Sequence, residues 1–336
     1  MRLAIEALKW LAIAAFFYPL ETIISSPSVS PCRKQIIKFG CFVIQIFFAF
    51  IVAVVYLDGL LGNSAIRSPL SLSGKIEICL IYMSAILSGS ISRVASVVYR
   101  KDIANFFENL AFGCTNKITI DREKKLVLAF TTTLLYAIWF VGSTATAVQV
   151  DLGMHSWYEN CSLNLLPCSQ AILRYVFSFC DMWDMLSLLY SWAFIAIAGL
   201  AVVDRLDNFS MKYETIVKGL LGNRLEFKHG CINVQYDVLV QEYRRVRTNF
   251  ELYSKIGGPY ALALTVRLTL VCISFFSYVL AGSPTDNWFE YPLRMYVIVS
   301  PPCIVAIFYF GHYVSDAVSL LVTVFSFLMN GENLLI

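Results

Sequence analysis

Apolar residues recur at alternating spacings of four and three through a segment that is otherwise rich in charge. The residues of this stripe are Leu239, Tyr243, Val246, Phe250 and Tyr253. Such spacing places them on one face of an α-helix. From Gly257 the charged face disappears, and an apolar run of roughly 23 residues is enough to cross a hydrocarbon core of about 30 Å. The pattern therefore predicts charged cytoplasmic helices over residues 203–258 that continue directly into a membrane helix.

Other apolar runs of similar length predict further membrane helices. They cover about 36–60, 76–98, 126–150 and 172–202 before the charged segment, and 295–312 after the fifth span. The sixth run is followed by a helical stripe in residues 313–336, made by Val314, Ala317, Val318, Leu321, Phe325 and Leu328. Because no turn separates this stripe from the sixth run, we expect it to extend that helix into the cytoplasm. The predicted fold class is all-α, a polytopic bundle with six spans.

Residues 1–35 form the predicted cytoplasmic N-terminal segment. Its apolar core could be mistaken for a signal peptide, but Glu6 and Lys9 interrupt the order that a signal peptide requires. We favour an amphipathic helix at the inner membrane surface.

Composition and charge agree with a membrane protein and set its orientation. Hydrophobic residues make up 58% of the chain and charged residues only 15%, which is too apolar for a soluble domain. A cytoplasmic N-terminus places 20 of the 26 Lys and Arg residues in cytoplasmic segments. The positive-inside rule therefore predicts that the chain lies in a lipid bilayer in this orientation. No feature indicates nucleic-acid binding.

The loop at 151–171 has acidic residues and no Lys or Arg, which predicts that it faces outward. Asn160 begins a glycosylation sequon in this loop, and an oxidising compartment would permit a disulfide between Cys161 and Cys168. A second sequon at Asn208 is expected to be cytoplasmic and unmodified.

No catalytic constellation, metal-ligand cluster or cofactor motif is present in the sequence, so we expect neither an enzyme nor a bound cofactor. Arg93 lies within the second span. We favour its snorkelling toward the inner headgroups over a ligand or gating role. Asp181 and Asp184 in the fourth span are the main candidates for an ion path, and are placed near its outer end.

Aromatic residues are abundant, at 15% of the chain. Several fall in the predicted outer halves of the spans, where they could line a pocket for a small apolar or amphipathic ligand. The candidate ligand-binding residues are Trp139, Phe140, Trp183, Tyr190, Phe275 and Tyr278. The alternative is that these side chains form an interfacial belt and pack helices together.

The whole arrangement resembles the arthropod gustatory receptors, which belong to one superfamily with the insect odorant receptors. The resemblance is carried best by residues 239–281 and 311–329, together with the segment RKDIANFFENL after the second span. The family has a seventh, pore-lining span with a Thr-Tyr pair, and this sequence ends before such a segment. We therefore expect six spans of a seven-span receptor architecture.

The resemblance implies a subunit of a tetrameric, ligand-gated, non-selective cation channel. It also implies a small-molecule tastant as ligand, homomeric or heteromeric assembly with related receptors, and a place in the plasma membrane of a chemosensory dendrite. Residues 203–256 and 313–329 would anchor the subunits to one another. The rival interpretations are a seven-helix G-protein-coupled-type receptor, a small transporter, or a non-conducting truncated receptor fragment.

Overall fold

The computed structural model describes most of the helical part of the chain. It covers residues 2–15, 17–19, 30–59, 72–111, 186–222, 229–281 and 304–317, with 127, 129, 131, 133, 134, 179, 183, 184 and 319. The helices are α1 (Arg2–Ala14), α2 (Pro31–Gly59), α3 (Leu72–Val98), α4 (Arg100–Ala111), α5 (Gly199–Gly222), α6 (His229–Ala281) and α7 (304–317). Helical residues from 186 enter α5 through a π-helical turn, Phe194–Ala198. These described residues include no strand, so the predicted all-α class is confirmed for them.

Helix α6 is the element on which the others are assembled. It runs for 53 residues with Pro259 in its interior, a length of about 80 Å at about 1.5 Å per residue. It contacts α3, α4, α5 and the π-helical turn. Tyr243, Val246 and Tyr253 are buried, which confirms the predicted stripe. The helix also runs without interruption from its charged part into the apolar run that begins at Gly257.

The most extensive contact among these helices joins α3 to α6. Four serines on α3 recur at every fourth position and are all buried: Ser84, Ser88, Ser92 and Ser96. Small side chains let two helix backbones approach closely in lipid, and their hydroxyls can bond to their own helix. Ser96 does so, donating a 2.8 Å hydrogen bond to the carbonyl oxygen of Arg93.

Two of the described helical stretches are long and apolar enough to cross a membrane. They are Leu186–Thr215 and Val240–Ile273, which contain 18-residue segments with mean hydropathies of 2.1 and 1.6 respectively. Gln35–Ile44 and Met83–Val98 are shorter apolar stretches. Helix α2 exposes large apolar side chains along its length, Ile36, Phe39, Phe47 and Phe50. Such a surface suits a lipid environment better than water. Most of the predicted third span lies outside the described residues.

Helix α1 packs into the bundle by one apolar face. Ala4, Ile5, Leu8 and Ala12 are at most 4% exposed, and the helix contacts α4 and the π-helical turn. The sequence predicted a helix here, lying at the inner membrane surface. The structure adds that it is part of the core at the end of the bundle where α4 and the π-helical turn meet.

Candidate functional site

A buried ion pair joins α3 to the helix that precedes the π-helical turn. Nη2 of Arg93 lies 2.9 Å from Oδ1 of Asp184. Arg93 is 8% exposed and Asp184 is fully buried. The predicted snorkelling of Arg93 is therefore wrong, because its guanidinium is held inside the bundle by a carboxylate. Ionisable groups inside the membrane are costly unless paired, which explains why they occur together.

Gly89 makes room for this pair. It lies one helical turn before Arg93 on the same face of α3. A Cβ at position 89 would stand 2.5 Å from Oδ1 of Asp184 and 2.7 Å from Nη1 of Arg93. A methyl group would therefore push the carboxylate away from its partner.

Trp183 ties the N-terminal segment to the ion pair. Its indole Nε1 donates a 3.1 Å hydrogen bond to the carbonyl oxygen of Ala15. The guanidinium carbon of Arg93 lies 5.9 Å from the centre of the Trp183 ring, within the range of a cation–π contact. The C-terminal end of α1 is thus connected to α3 through one side chain.

Next to this pair lies a continuous aromatic cluster, which we call the aromatic junction. It consists of Phe17, Tyr190, Phe194, Tyr253 and Tyr260. Phe17 stacks on Tyr260 at 5.8 Å, and Tyr190 meets both rings edge-on at 5.2 and 5.5 Å. Such pairs stabilise packing beyond the burial of apolar area alone. The junction connects the segment after α1, the π-helical turn and α6.

The π-helical turn is held in place by Tyr253. The Tyr253 hydroxyl donates a 3.0 Å hydrogen bond to the carbonyl oxygen of Ile195, and its ring stacks on Phe194 at 5.9 Å. A π-helical turn inside an α-helix often marks a functional site. Gly199 follows the turn, and a Cβ there would lie 2.9 Å from the Tyr253 hydroxyl oxygen. Glycine, which has no Cβ, avoids this close contact at position 199.

Polar side chains also connect α6 to α3 and α4. Nη1 of Arg267 donates a 3.1 Å hydrogen bond to Oγ of Ser84, and Arg267 is 4% exposed. Nζ of Lys255 lies 2.6 Å from Oδ2 of Asp102 at the start of α4. The hydrogen bond to Asp102 raises the pKa of Lys255, which lies in the charged part of α6 before the apolar run.

The C-terminal end of α4, the first half of α5 and the charged part of α6 line an open cavity of about 720 Å³, which we call the α5–α6 cavity. Its basic lining residues are Arg205, Lys212, Arg244 and Arg245, and Glu242 and Asn249 also line it. Nζ of Lys212 pairs with Oε1 of Glu242 at 2.6 Å. Arg205 donates hydrogen bonds to the carbonyl oxygens of Asn109 and Leu110, in the last turn of α4.

The six predicted ligand-binding residues fall into three groups. Trp139 and Phe140 lie outside the described residues. Phe275 and Tyr278 are on α6, but their side chains lie outside what the structure describes. Trp183 and Tyr190 are both buried. Asn160, Cys161 and Cys168 also lie outside the described residues.

Tyr190 packs against Phe17 and Tyr260, beside the segment that follows α1 and close to the start of the apolar part of α6. Its place in the outer half of a span stays a prediction.

Several important polar residues were not singled out from the sequence. The serines of α3 recur at every fourth position, which could have identified a helix-packing face. Asn249 lies three residues after Val246 and four before Tyr253, so it shares their buried face. Arg267 interrupts an apolar run, which by itself marks an unusual residue. Among the described residues, no group of three or more His, Cys, Asp or Glu side chains could hold a metal ion.

Two solved structures of an insect olfactory receptor, OR5 from Machilis hrabei, are similar to this chain. One has a TM-score of 0.61 at 11% sequence identity, and the match covers 95% of this chain and 82% of the receptor chain. The other, of the receptor in complex with eugenol, has a TM-score of 0.57 at 12% identity, and the match covers 90% and 77% of the two chains. No protein-family model and no curated protein sequence matches the chain. At these identities the likeness establishes the fold of a helical membrane receptor.

Proposed function

We propose that this chain is a chemosensory receptor, a subunit of a ligand-gated cation channel in the superfamily of insect olfactory and gustatory receptors. The observation that carries the proposal is the fold likeness to the olfactory receptor OR5 over 90 to 95% of the chain. The long helix α6 supports it, because one continuous helix joins the charged segment to the apolar run, and the proposal takes these as a cytoplasmic segment and a membrane span. The proposal includes no enzymatic step and no cofactor.

Within this superfamily we propose a gustatory subunit that responds to small-molecule tastants. It would act in the plasma membrane of a chemosensory dendrite, as a homo- or hetero-tetramer with related receptors. The ligand would contact aromatic side chains in the outer halves of the spans, with Trp139, Phe140, Phe275 and Tyr278 as the main candidates. Trp183 would form the inner boundary of this pocket, since its indole group is already bonded to Ala15.

The buried contacts around Arg93 supply a route from such a pocket to the cytoplasmic helices. A ligand that displaces the helix carrying Asp184 also moves Arg93 on α3, because the two side chains form an ion pair. It moves the aromatic junction as well, because Tyr190 packs against Tyr260. Tyr253 then transmits the displacement to α6, because it is bonded to the π-helical turn. The ligand must bind one arrangement of these groups more tightly than the other, since differential affinity alone shifts a population.

The test is expression of the full chain in cells without related receptors, alone and with a co-expressed related subunit. A panel of small organic molecules is applied while membrane current is recorded under voltage clamp. The proposal expects a ligand-evoked cation current in at least one configuration, and a loss of ligand response in Asp184→Ala. A G-protein-coupled-type receptor would instead give a second-messenger signal that needs a G protein. A transporter would give substrate uptake, and a non-conducting fragment would reach the surface without current.

A further inference from the structure

Among the described residues, positively charged side chains outnumber carboxylates in the lining of the α5–α6 cavity. Four cationic side chains line it against one carboxylate, Glu242, and that carboxylate is paired with Lys212. Arg244 and Arg245 are exposed and form no ion pair within the described part of the chain. Guanidinium groups of this kind bind phosphate oxygens through charge-assisted, often bidentate hydrogen bonds.

Asn249 gives the cavity a second, independent feature. It is 1% exposed, and neither its amide nitrogen nor its amide oxygen has a hydrogen-bond partner among the described residues. A primary amide offers two N–H donors and one acceptor oxygen. Burial of such a group without partners is unfavourable, so its position on the cavity wall indicates a polar ligand. An amide that can both donate and accept suits a hydroxyl group.

We propose that the α5–α6 cavity binds a phosphorylated polyol, the chemistry shared by soluble inositol phosphates and phosphoinositide headgroups. Arg244 and Arg245 bind its phosphate groups, and Asn249 exchanges hydrogen bonds with a free ring hydroxyl. The volume of about 720 Å³ is in the usual range for a small-molecule site.

This binding site goes beyond the proposed channel function and does not depend on it. The ligand would bridge α5 and α6 beside the C-terminal end of α4, where Arg205 already holds the last carbonyls. It would therefore stabilise the packing of the charged helices against one another. Asn249 and Glu242 precede Pro259 by 10 and 17 residues. These separations correspond to about 15 and 25 Å along the helix, away from the apolar part.

The first experiment measures binding of inositol 1,4,5-trisphosphate to the purified full chain in detergent by titration calorimetry. It is done at about 0.15 M salt, so that long-range attraction is screened. We expect saturable binding that weakens about 10-fold or more in Arg244→Gln/Arg245→Gln, since each lost charge-assisted bond is strong. The matched control is Arg247→Gln, an exposed arginine on the same helix that pairs with Glu251 and does not line the cavity. It should leave the affinity unchanged. Equal weakening in the control overturns the proposal. So does the absence of any effect of both inositol 1,4,5-trisphosphate and the nanodisc lipid described below.

The second measurement uses Asn249→Leu, which keeps the size of the side chain and removes its polar atoms. This variant should keep its thermal stability, because it deletes a buried amide that has no partner in the described structure. We expect it to weaken inositol 1,4,5-trisphosphate several-fold and to leave the affinity for pyrophosphate, which has no ring hydroxyl, unchanged. Equal loss for both probes contradicts the assigned role of Asn249.

A third experiment distinguishes a lipid headgroup from a soluble inositol phosphate as the ligand. The chain is reconstituted in lipid nanodiscs with and without phosphatidylinositol 4,5-bisphosphate, and its thermal midpoint is compared. Stabilisation by this lipid that disappears in Arg244→Gln/Arg245→Gln supports a headgroup as the ligand. Binding of the soluble probe with no effect of the lipid supports a soluble inositol phosphate.

Discussion

The hydroxyl of Tyr253 donates a 3.0 Å hydrogen bond to the carbonyl oxygen of Ile195, and thereby joins the charged part of α6 to the π-helical turn. These residues are 58 positions apart in sequence. A π-helical turn disturbs the regular pattern of backbone bonds, and the phenol supplies an additional donor at that point. The contact lies just before the apolar run of α6, so it is well placed to couple movements of the charged part of α6 to those of the π-helical turn.

Tyr253→Phe removes this hydrogen bond and keeps the stacking on Phe194. We expect it to lower the free energy of unfolding by about 0.5–1.5 kcal/mol. Tyr253→Ala also removes the buried ring and should cost about 3–5 kcal/mol, by analogy with other large-to-small core changes. Thermal denaturation in detergent measures both. Tyr309→Phe is the control, because Tyr309 is 44% exposed, and it should have no effect.

Gly89→Ala should displace the Asp184 carboxylate, because the new Cβ would stand 2.5 Å from its Oδ1. The gain in helix propensity, about 1 kcal/mol at an ordinary site, should be outweighed by this clash. Gly258→Ala and Gly311→Ala are matched controls, since a Cβ at either position meets nothing within 4 Å. We expect a lower thermal midpoint for the first variant and an equal or higher one for the controls. A stabilised Gly89→Ala protein would contradict the described packing.

The Arg93–Asp184 pair predicts strongly non-additive substitutions. Arg93→Met or Asp184→Leu alone leaves a buried charge without its partner and should cost about 3–5 kcal/mol. The double variant removes both charges and should recover most of that loss, so the two effects do not add. Surface expression and thermal midpoint of the four proteins form the measurement. The exposed pair Arg247–Glu251 is the control, and its cycle should show no measurable coupling, because water and salt screen exposed pairs.

Part of this architecture could be predicted from the sequence, because helices and their apolar faces follow directly from the spacing of side chains. The stripe through Tyr243, Val246 and Tyr253 identified the buried face in the charged part of α6. Spacing along one helix carries no information about which residue of another helix lies opposite. Arg93 and Asp184 are 91 positions apart, so their pairing could not be read from either helix. The same reason hid the contact between Tyr190 and Phe17.

The charge distribution predicts a cytoplasmic N-terminus and an extracellular loop at 151–171, since 20 of 26 Lys and Arg residues would then be cytoplasmic. Asn160 should therefore carry a glycan and Asn208 should not. Peptide glycosidase treatment should increase the mobility of the wild type and of Asn208→Gln but not of Asn160→Gln. An N-terminal epitope tag should stain only after permeabilisation. Staining of intact cells would reverse the predicted topology.

The last prediction separates ligand contact from packing among the aromatic residues. Tyr190 is fully buried within the aromatic junction, so Tyr190→Ala should lower surface expression by removing a core ring, a change that typically costs about 3–5 kcal/mol. The receptors that still reach the surface should keep their ligand dose dependence. Trp139→Ala and Phe275→Ala, in the proposed outer pocket, should do the opposite, with normal expression and a dose dependence shifted to higher concentration. Surface labelling and dose–response recordings on the same cells distinguish the two classes. If Trp139→Ala and Phe275→Ala change only expression, these side chains serve packing and the ligand pocket must lie elsewhere among the helices.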